Sequence, residues 1–346
     1  MKLTTPLILL LAALPVFSQD TPPAEAPKKE EPKVETANPA PPKADAKPEP
    51  KPAPKAEPKP ADAPKAETPK KPEDKPAAEK KPEAKPEAKP APKPVAIFKD
   101  KALEAAVRKQ VFAKRNNNEP ITEEDVATVS IIEGKNLGIT DLTGLEKCLA
   151  LASLTLPDNQ ITDLSPISGL ERLQFLDVGN NQIPSLAPLA TCKALQYVEL
   201  TNNKVVDVSP LGSITALTSL YLAGNQIQDI KPLFQLPKVW TLYLEGNQVS
   251  DLTGIGSLKW LSMLSLKGNR ITDLTPLEPL TDLQFLFLEN NQITDLAPLH
   301  RMWKKDNEGA REWAPYCQIF IEGNPIDEPS KKLVEELKSS GARITP

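Results

Sequence analysis

The chain has 346 residues, a formal charge of -4 and a single histidine, His300. One imidazole leaves no place for a histidine metal cluster or a serine or cysteine triad. The net acidity excludes nucleic acid as the partner.

Met1 to Ser18, "MKLTTPLILLLAALPVFS", has one early lysine, an apolar run from Leu7 to Leu14, and small residues at Val16 and Ser18. This pattern is that of a secretory signal peptide removed before Gln19, with an apolar core too short to span a bilayer. Residues 19–94 are expected to form a disordered spacer. From Asp20 to Pro94 there are 22 prolines, 17 lysines and 15 acids, with Val34 as the one large aliphatic residue. Such a composition buries too little apolar surface to fold, favours extended polyproline II, and is too nearly neutral to be a polybasic anchor. Contact of residues 20–94 with cell-wall polymer is the alternative to a purely solvated tail. The remainder, Val95 to Pro346, carries 24 basic and 31 acidic residues, a net of -7.

Residues 95–125 are read as an amino-terminal cap. Leu103, Val107 and Val111 form a helical stripe, and "TEED" at Thr122 to Asp125 is a capping-box-like helix start. Residues 126–150 match the second half of a repeat in "ITDLTGLEKC", while "IIEGKNLG" is read as a first half with extra residues. Seven regular units then fill 151–304, beginning at Leu151, Leu173, Leu195, Leu217, Val239, Leu261 and Leu283, each 22 residues after the last. All follow L-x-x-L-x-L-x-x-N-x-I-x-D-L-x-P-L-x-x-L, a leucine-rich repeat.

Within a unit, the L-x-L stretch alternates buried and free positions and predicts a short strand, stacked in parallel on its neighbours about 4.8 Å away. The ninth place is asparagine in every unit: Asn159, Asn181, Asn203, Asn225, Asn247, Asn269 and Asn291. An amide both donates and accepts, so these residues are expected to form a structural ladder in a buried turn, together with Asn324 in the last unit. The following D-L-S/T-P-L predicts one short helical turn with proline at its start and aspartates such as Asp163, Asp229 and Asp295 as turn formers.

The period breaks once more. Strand register resumes at Tyr316, eleven residues late, so 303–315 is an insertion in which "DNEG" signals a turn. Trp303 and Trp313 are expected to flank a hairpin-like flap. A last unit occupies 316–326, and 327–346 predicts a cap helix started by Ser330 and ended at Gly341. Cys148 and Cys192 stand in equivalent core places two units apart, about 9.6 Å along the stack and too far for a disulfide.

The 22-residue spacing and the "NQITDLxPL" core resemble bacterial internalin-type repeats and are similar to those of a eukaryotic phosphatase regulator. The resemblance covers roughly residues 126–326. It implies an α/β leucine-rich repeat solenoid, a horseshoe or arc with a parallel sheet on the concave face, short helical turns on the convex face and helical caps. Members of this family present different surfaces to different ligands.

No phosphate-binding loop, dinucleotide fingerprint or nucleophile elbow is present, so the chain is read as non-enzymatic, without cofactor or metal. What remains is the free face of the strands. Phe175, Tyr197, Tyr221, Tyr243, Phe285, Phe287 and Phe320 place seven of the twelve phenylalanines and tyrosines there, with Trp240 at the edge. Asp177, Glu199, Glu245, Glu289 and Glu322 against Lys267 make the same face acidic, and Glu245, Lys267 and Glu289 are placed for an ion-pair ladder. An exposed aromatic band rimmed by charge is a binding surface. The expected function is an exported, monomeric recognition module, secreted or in the periplasm or cell envelope, that grips a protein or peptide ligand. A structural envelope scaffold anchored by the tail and a glycan-binding adhesin are the alternatives.

Overall fold

The computed structural model describes residues 96–309, 311, 313 and 316–346. The signal peptide read at 1–18 and the spacer read at 19–94 lie outside the described residues. Among the described residues, no helix is long and apolar enough to cross a membrane.

Ten three-residue strands form a single sheet in chain order: β1 (Ile131–Glu133), β2 (Ser153–Thr155), β3 (Phe175–Asp177), β4 (Tyr197–Glu199), β5 (Ser219–Tyr221), β6 (Thr241–Tyr243), β7 (Met263–Ser265), β8 (Phe285–Phe287), β9 (Gln318–Phe320) and β10 (Arg343–Thr345). All neighbours are parallel, and from β1 to β8 the register advances by one repeat, with Phe175 opposite Tyr197 and Tyr221 opposite Tyr243. Each strand's middle residue, such as Leu176, Val198 or Leu242, is fully buried. The flanking residues point to the free face, as a period of two requires.

The convex side is made of short 3₁₀ turns such as Ser165–Ile167 and Thr275–Leu277, each with proline in its first two positions. The aspartate before the turn sets its entry. Asp163 Oδ1 accepts from Ser165 N at 2.8 Å, Asp229 Oδ1 from Lys231 N at 2.9 Å, and Asp295 Oδ1 from Ala297 N at 2.8 Å.

Between strand and turn lies the asparagine ladder. Asn181 shows the pattern: its Oδ1 accepts from Ile161 N at 2.9 Å, while its Nδ2 donates to Leu156 O at 3.1 Å and Val178 O at 2.9 Å. Ile161 and Leu156 belong to the preceding unit, while Val178 and a further acceptor, Gly179 O at 3.1 Å, belong to its own, so each amide fastens its own unit to the one before. Asn159, Asn203, Asn225, Asn247, Asn269 and Asn291 repeat the contacts. Asn324 closes the series through Asn291 N and Ile293 N, both at 3.2 Å.

A second ladder runs beside it at the eighth place, which the sequence analysis left as a free position. There φ is positive in every unit, from +53° at Asn136 to +74° at Gly323. Only asparagine, aspartate or glycine stands there, the residues that tolerate this conformation. Asn180 Nδ2 donates to Asp158 Oδ1 at 2.7 Å, and Asn202 Nδ2 to Asn180 Oδ1 at 2.7 Å.

At the amino-terminal end, α1 (Lys101–Arg108) is capped by Asp100, whose Oδ1 accepts from Ala102 N and Leu103 N. Its Oδ2 reaches across to Thr140 N at 2.8 Å, fixing the cap on the first unit. The short α2 (Glu123–Val126) starts as "TEED" predicted, with Thr122 N donating to Asp125 Oδ2 at 2.7 Å. The first unit contains no extra residues, contrary to the sequence reading. Ile131 pairs with Ser153 at the normal 22-residue offset, so the unit starts at Val129. Leu137 replaces its asparagine because that residue bonds backward and here no earlier unit exists.

At the other end Phe285 pairs with Gln318, 33 residues on instead of 22, which accommodates the eleven inserted residues. Among the described residues there, 303–307 are helical and no hairpin-like flap is seen. The convex turn lengthens into α3 (Ala297–Asn307), and Trp303 and Trp313 are both buried in the core. "DNEG" ends that helix rather than bending a loop. His300 lies on it, with Nε2 3.3 Å from Glu336 Oε1 of α4 (Glu328–Ser339).

Two further expectations fail here. Helix α4 is capped by Asp327, whose Oδ1 accepts from Ser330 N at 2.8 Å. Ser330 is buried inside the helix and accepts from Leu296 N at 2.9 Å. After Gly341 the chain does not stop at a helix but adds β10 beside β9. The three thiols are buried and free, and burial pushes Cys148 and Cys317 up to about 12.

Substituting Asn225 by alanine strands two carbonyls and an N–H in the core, so unfolding in urea should show a loss of roughly 3 kcal/mol. Asn324→Ala, at the half-exposed end of the ladder, should lose less than half of that.

Candidate functional site

The free face of the sheet brings the seven predicted rings into one unbroken row. Phe175 stacks on Tyr197 with centroids 4.3 Å apart, and Tyr197 meets Tyr221 at 5.2 Å. Tyr221 meets Tyr243 edge to face at 5.2 Å, Tyr243 meets Phe287 at 6.4 Å, and Phe287 stacks on Phe320 at 4.9 Å with Phe285 beside it. The row starts at the third place on β3 and β4 and crosses to the fifth place from β5 onward. Small residues stand beside the crossing: Ser219, Thr241 and Ser265 on β5 to β7 are buried. They were not among the predicted site residues, although a small residue beside each ring was the signal.

The rings are half-buried rather than freely exposed, because each covers the next. Such contacts add about 0.5–1.5 kcal/mol per pair beyond area burial, so the row stiffens the sheet as well as facing outward. Trp240 stands outside it. Its indole is 51% exposed at the start of β6, and Nε1 donates to Ser219 Oγ at 3.0 Å.

The predicted charges divide into two groups. Toward the carboxy-terminal half, Lys267 Nζ lies 3.5 Å from Glu289 Oε1, while Glu289 Oε2 is buried without a hydrogen-bond partner. Glu245 is not part of that pair, since it accepts from Ser265 Oγ at 2.8 Å. Toward the amino-terminal half, Asp177 and Glu199 sit directly opposite each other on β3 and β4. Both are half-buried beside Phe175 and Tyr197, and among the described residues no ion pair reaches either. Asp177 accepts from Gly179 N at 3.1 Å and Glu199 from Thr201 N at 2.6 Å. Those bonds do not offset desolvation, and burial raises both carboxyls above the ordinary range. Like charge from Asp158 adds to the rise at Asp177 while Lys135 opposes it, Asp177 in turn raises Glu199, and burial raises the Tyr197 and Tyr221 hydroxyls.

Among the described residues no group of three histidine, cysteine or acidic side chains is placed to hold a metal ion. What the face offers is flat apolar area interrupted by carboxylates, of which Asp177 and Glu199 lie in no ion pair among the described residues.

The family model for leucine-rich repeats, in two copies per match, fits five overlapping stretches: 149–191, 171–213, 193–235, 215–259 and 259–300. Internalin C2 of Listeria monocytogenes is 34% identical, with 60% of this chain and 91% of that chain covered and a TM-score of 0.56. The chain belongs to the internalin-type leucine-rich repeat proteins. A leucine-rich repeat protein of Leptospira interrogans is 28% identical, covering 59% of this chain and 50% of that one, at a TM-score of 0.51. No curated protein sequence matches. Leucine-rich repeats are protein-interaction modules, and an internalin-type solenoid is typically an interaction scaffold.

In this internalin-type chain the raised carboxyls work against folding. A carboxyl whose proton is held more tightly in the folded state contributes stability that is complete below its unfolded value and lost as pH rises through the folded one. Glu199→Gln keeps the acceptor for Thr201 N and removes the charge. Its melting temperature should exceed that of the wild type at pH 7, and the gain should vanish below the ordinary glutamate value of 4.5.

Proposed function

We propose that the chain is an exported, non-enzymatic recognition protein that binds a cationic protein or peptide segment along the aromatic row of its concave face. The observation that carries this reading is the pair Asp177 and Glu199. Two like charges are held side by side beneath rings, with no cation in ion-pair distance among the described residues. Unpaired half-buried charge destabilises a fold, and a lysine or arginine from a partner would relieve it. The adjacent Phe175, Tyr197 and Tyr221 rings provide faces on which such a cation can also rest.

Tyr221, Tyr243, Phe285, Phe287 and Phe320 extend the same surface toward the carboxy-terminal end, where Glu245, Glu289 and Glu322 continue the negative rim. Large rigid rings with a charged border give contact area and register together. The leader at 1–18 would export the protein to the envelope or beyond, and the spacer at 19–94 would hold the solenoid away from its surroundings. On this reading a single copy presents the whole ring row, and the protein acts as a monomer.

Proximity labelling of the exported protein tests this, with a Tyr221→Ala, Tyr243→Ala, Phe287→Ala triple variant and an Asp177→Asn, Glu199→Gln double variant. Loss of the same labelled partner in both supports the reading, and the charge variant should weaken capture about tenfold or more. A partner retained by both variants contradicts it.

A further inference from the structure

A second aromatic surface adjoins the concave row at Phe285 and runs along the edge where the chain enters β6 to β9. There a groove of about 950 Å³ runs across four consecutive units, within the size range of ligand sites. Trp240, Trp260 and Tyr316 line it and are 51%, 68% and 60% exposed. These are far more open than any ring of the concave row. Two of the chain's four tryptophans are therefore in this groove, while Trp303 and Trp313 are buried.

The groove is built, not incidental. The Nε1–H of Trp240 is bonded to Ser219 Oγ, which holds the indole plane in one orientation. Tyr316 occupies the first place of its unit, which in the other units is a buried leucine or valine. After the insertion Trp313 is in the core and Tyr316 is turned out to wall the end of the groove. Met263 in the floor accepts from the Tyr243 hydroxyl at 3.8 Å, so the groove abuts the ring row without sharing its charges.

Its chemistry differs from that of the concave face. Lys238 and Asp282 balance each other, and the rest of the polar lining is neutral: Ser262, Thr281, Gln284 and Gln318. Hydroxyls and primary amides both donate and accept. The backbone at this edge is already paired across the stack, with Trp240 N bonded to Thr218 O, Ser262 N to Trp240 O and Gln284 N to Ser262 O. A peptide cannot add as a strand here, so recognition must come from rings and short neutral polar groups.

We infer that this edge groove binds a neutral oligosaccharide. Pyranose rings present apolar C–H faces to indole and phenol planes, and their hydroxyls match a rim able to donate and accept in equal measure. A net-zero lining within a domain of net -7 favours an uncharged ligand. The inference is independent of the protein-binding reading of the concave face.

Acrylamide quenching of tryptophan fluorescence in the full-length exported protein tests it, because Trp303 and Trp313 are shielded and Trp240 and Trp260 report. The probes are neutral linear hexasaccharides of gluco, N-acetylgluco, manno and galacto configuration, each raised to about 10 mM. At least one should protect the tryptophans saturably. Trp260→Ala, at an exposed site where folding is unaffected, should weaken that binding about tenfold or more, measured by calorimetry. Gln284→Ala should weaken it less. Protection by none of the four sugars overturns the inference. So does unaltered sugar binding by Trp260→Ala, or protection by a proline-rich decapeptide where no sugar protects.

Discussion

Every strand among the described residues is three residues long, and such a strand has too few hydrogen bonds to hold its neighbour alone. The ninth-place asparagine supplies the missing connection. Its amide satisfies the carbonyl that ends its own strand, the equivalent carbonyl one unit earlier, and an N–H of that earlier turn. A buried turn with no helix or sheet partner would otherwise leave those groups unpaired, at about 1–3 kcal/mol each. The asymmetry of the contact explains the ends of the solenoid. The first unit carries Leu137 instead, because nothing precedes it, and the last asparagine, Asn324, bonds backward across the eleven-residue insertion and is only half-covered.

Holding the strands in strict register turns a sequence period into a surface. Residues 22 apart become lateral neighbours, so rings at successive third or fifth places touch. The row changes place between Tyr197 and Tyr221, where the third place of β5 is the small, buried Ser219. The same register forces Asp177 against Glu199, which no folding requirement explains. Favourable ring contacts and unfavourable like charges are thus superposed on one face, and the unfavourable part is where a partner has most to contribute.

The period made the sheet, its direction and the ladder legible before any coordinates, since one pattern repeated in register leaves little else to choose. Features outside the pattern were harder to read. Arg343 to Thr345 form a strand only because β9 offers an open edge, and three residues carry no detectable alternation. Ser330 looked like a cap because it precedes the helical stripe, but Asp327 does that work and Ser330 faces Leu296. "DNEG" has turn composition, yet the buried indole of Trp303 carries α3 through to Asn307. The aromatic row was legible ring by ring, whereas its half-burial was not, because the extent to which neighbouring rings cover each other depends on side-chain direction. The edge groove was hidden for a further reason: Trp240, Trp260 and Tyr316 fall at three different places of the unit.

The direct test of this account is a titration of the carboxyl carbons of Asp177 and Glu199 by nuclear magnetic resonance in the unliganded protein. If the concave face holds unneutralised charge for a cationic partner, both groups should titrate above their ordinary values of 3.8 and 4.5. Titration of both at or below those values would show the charges to be already stabilised, and the case for a cationic ligand on this face would fail.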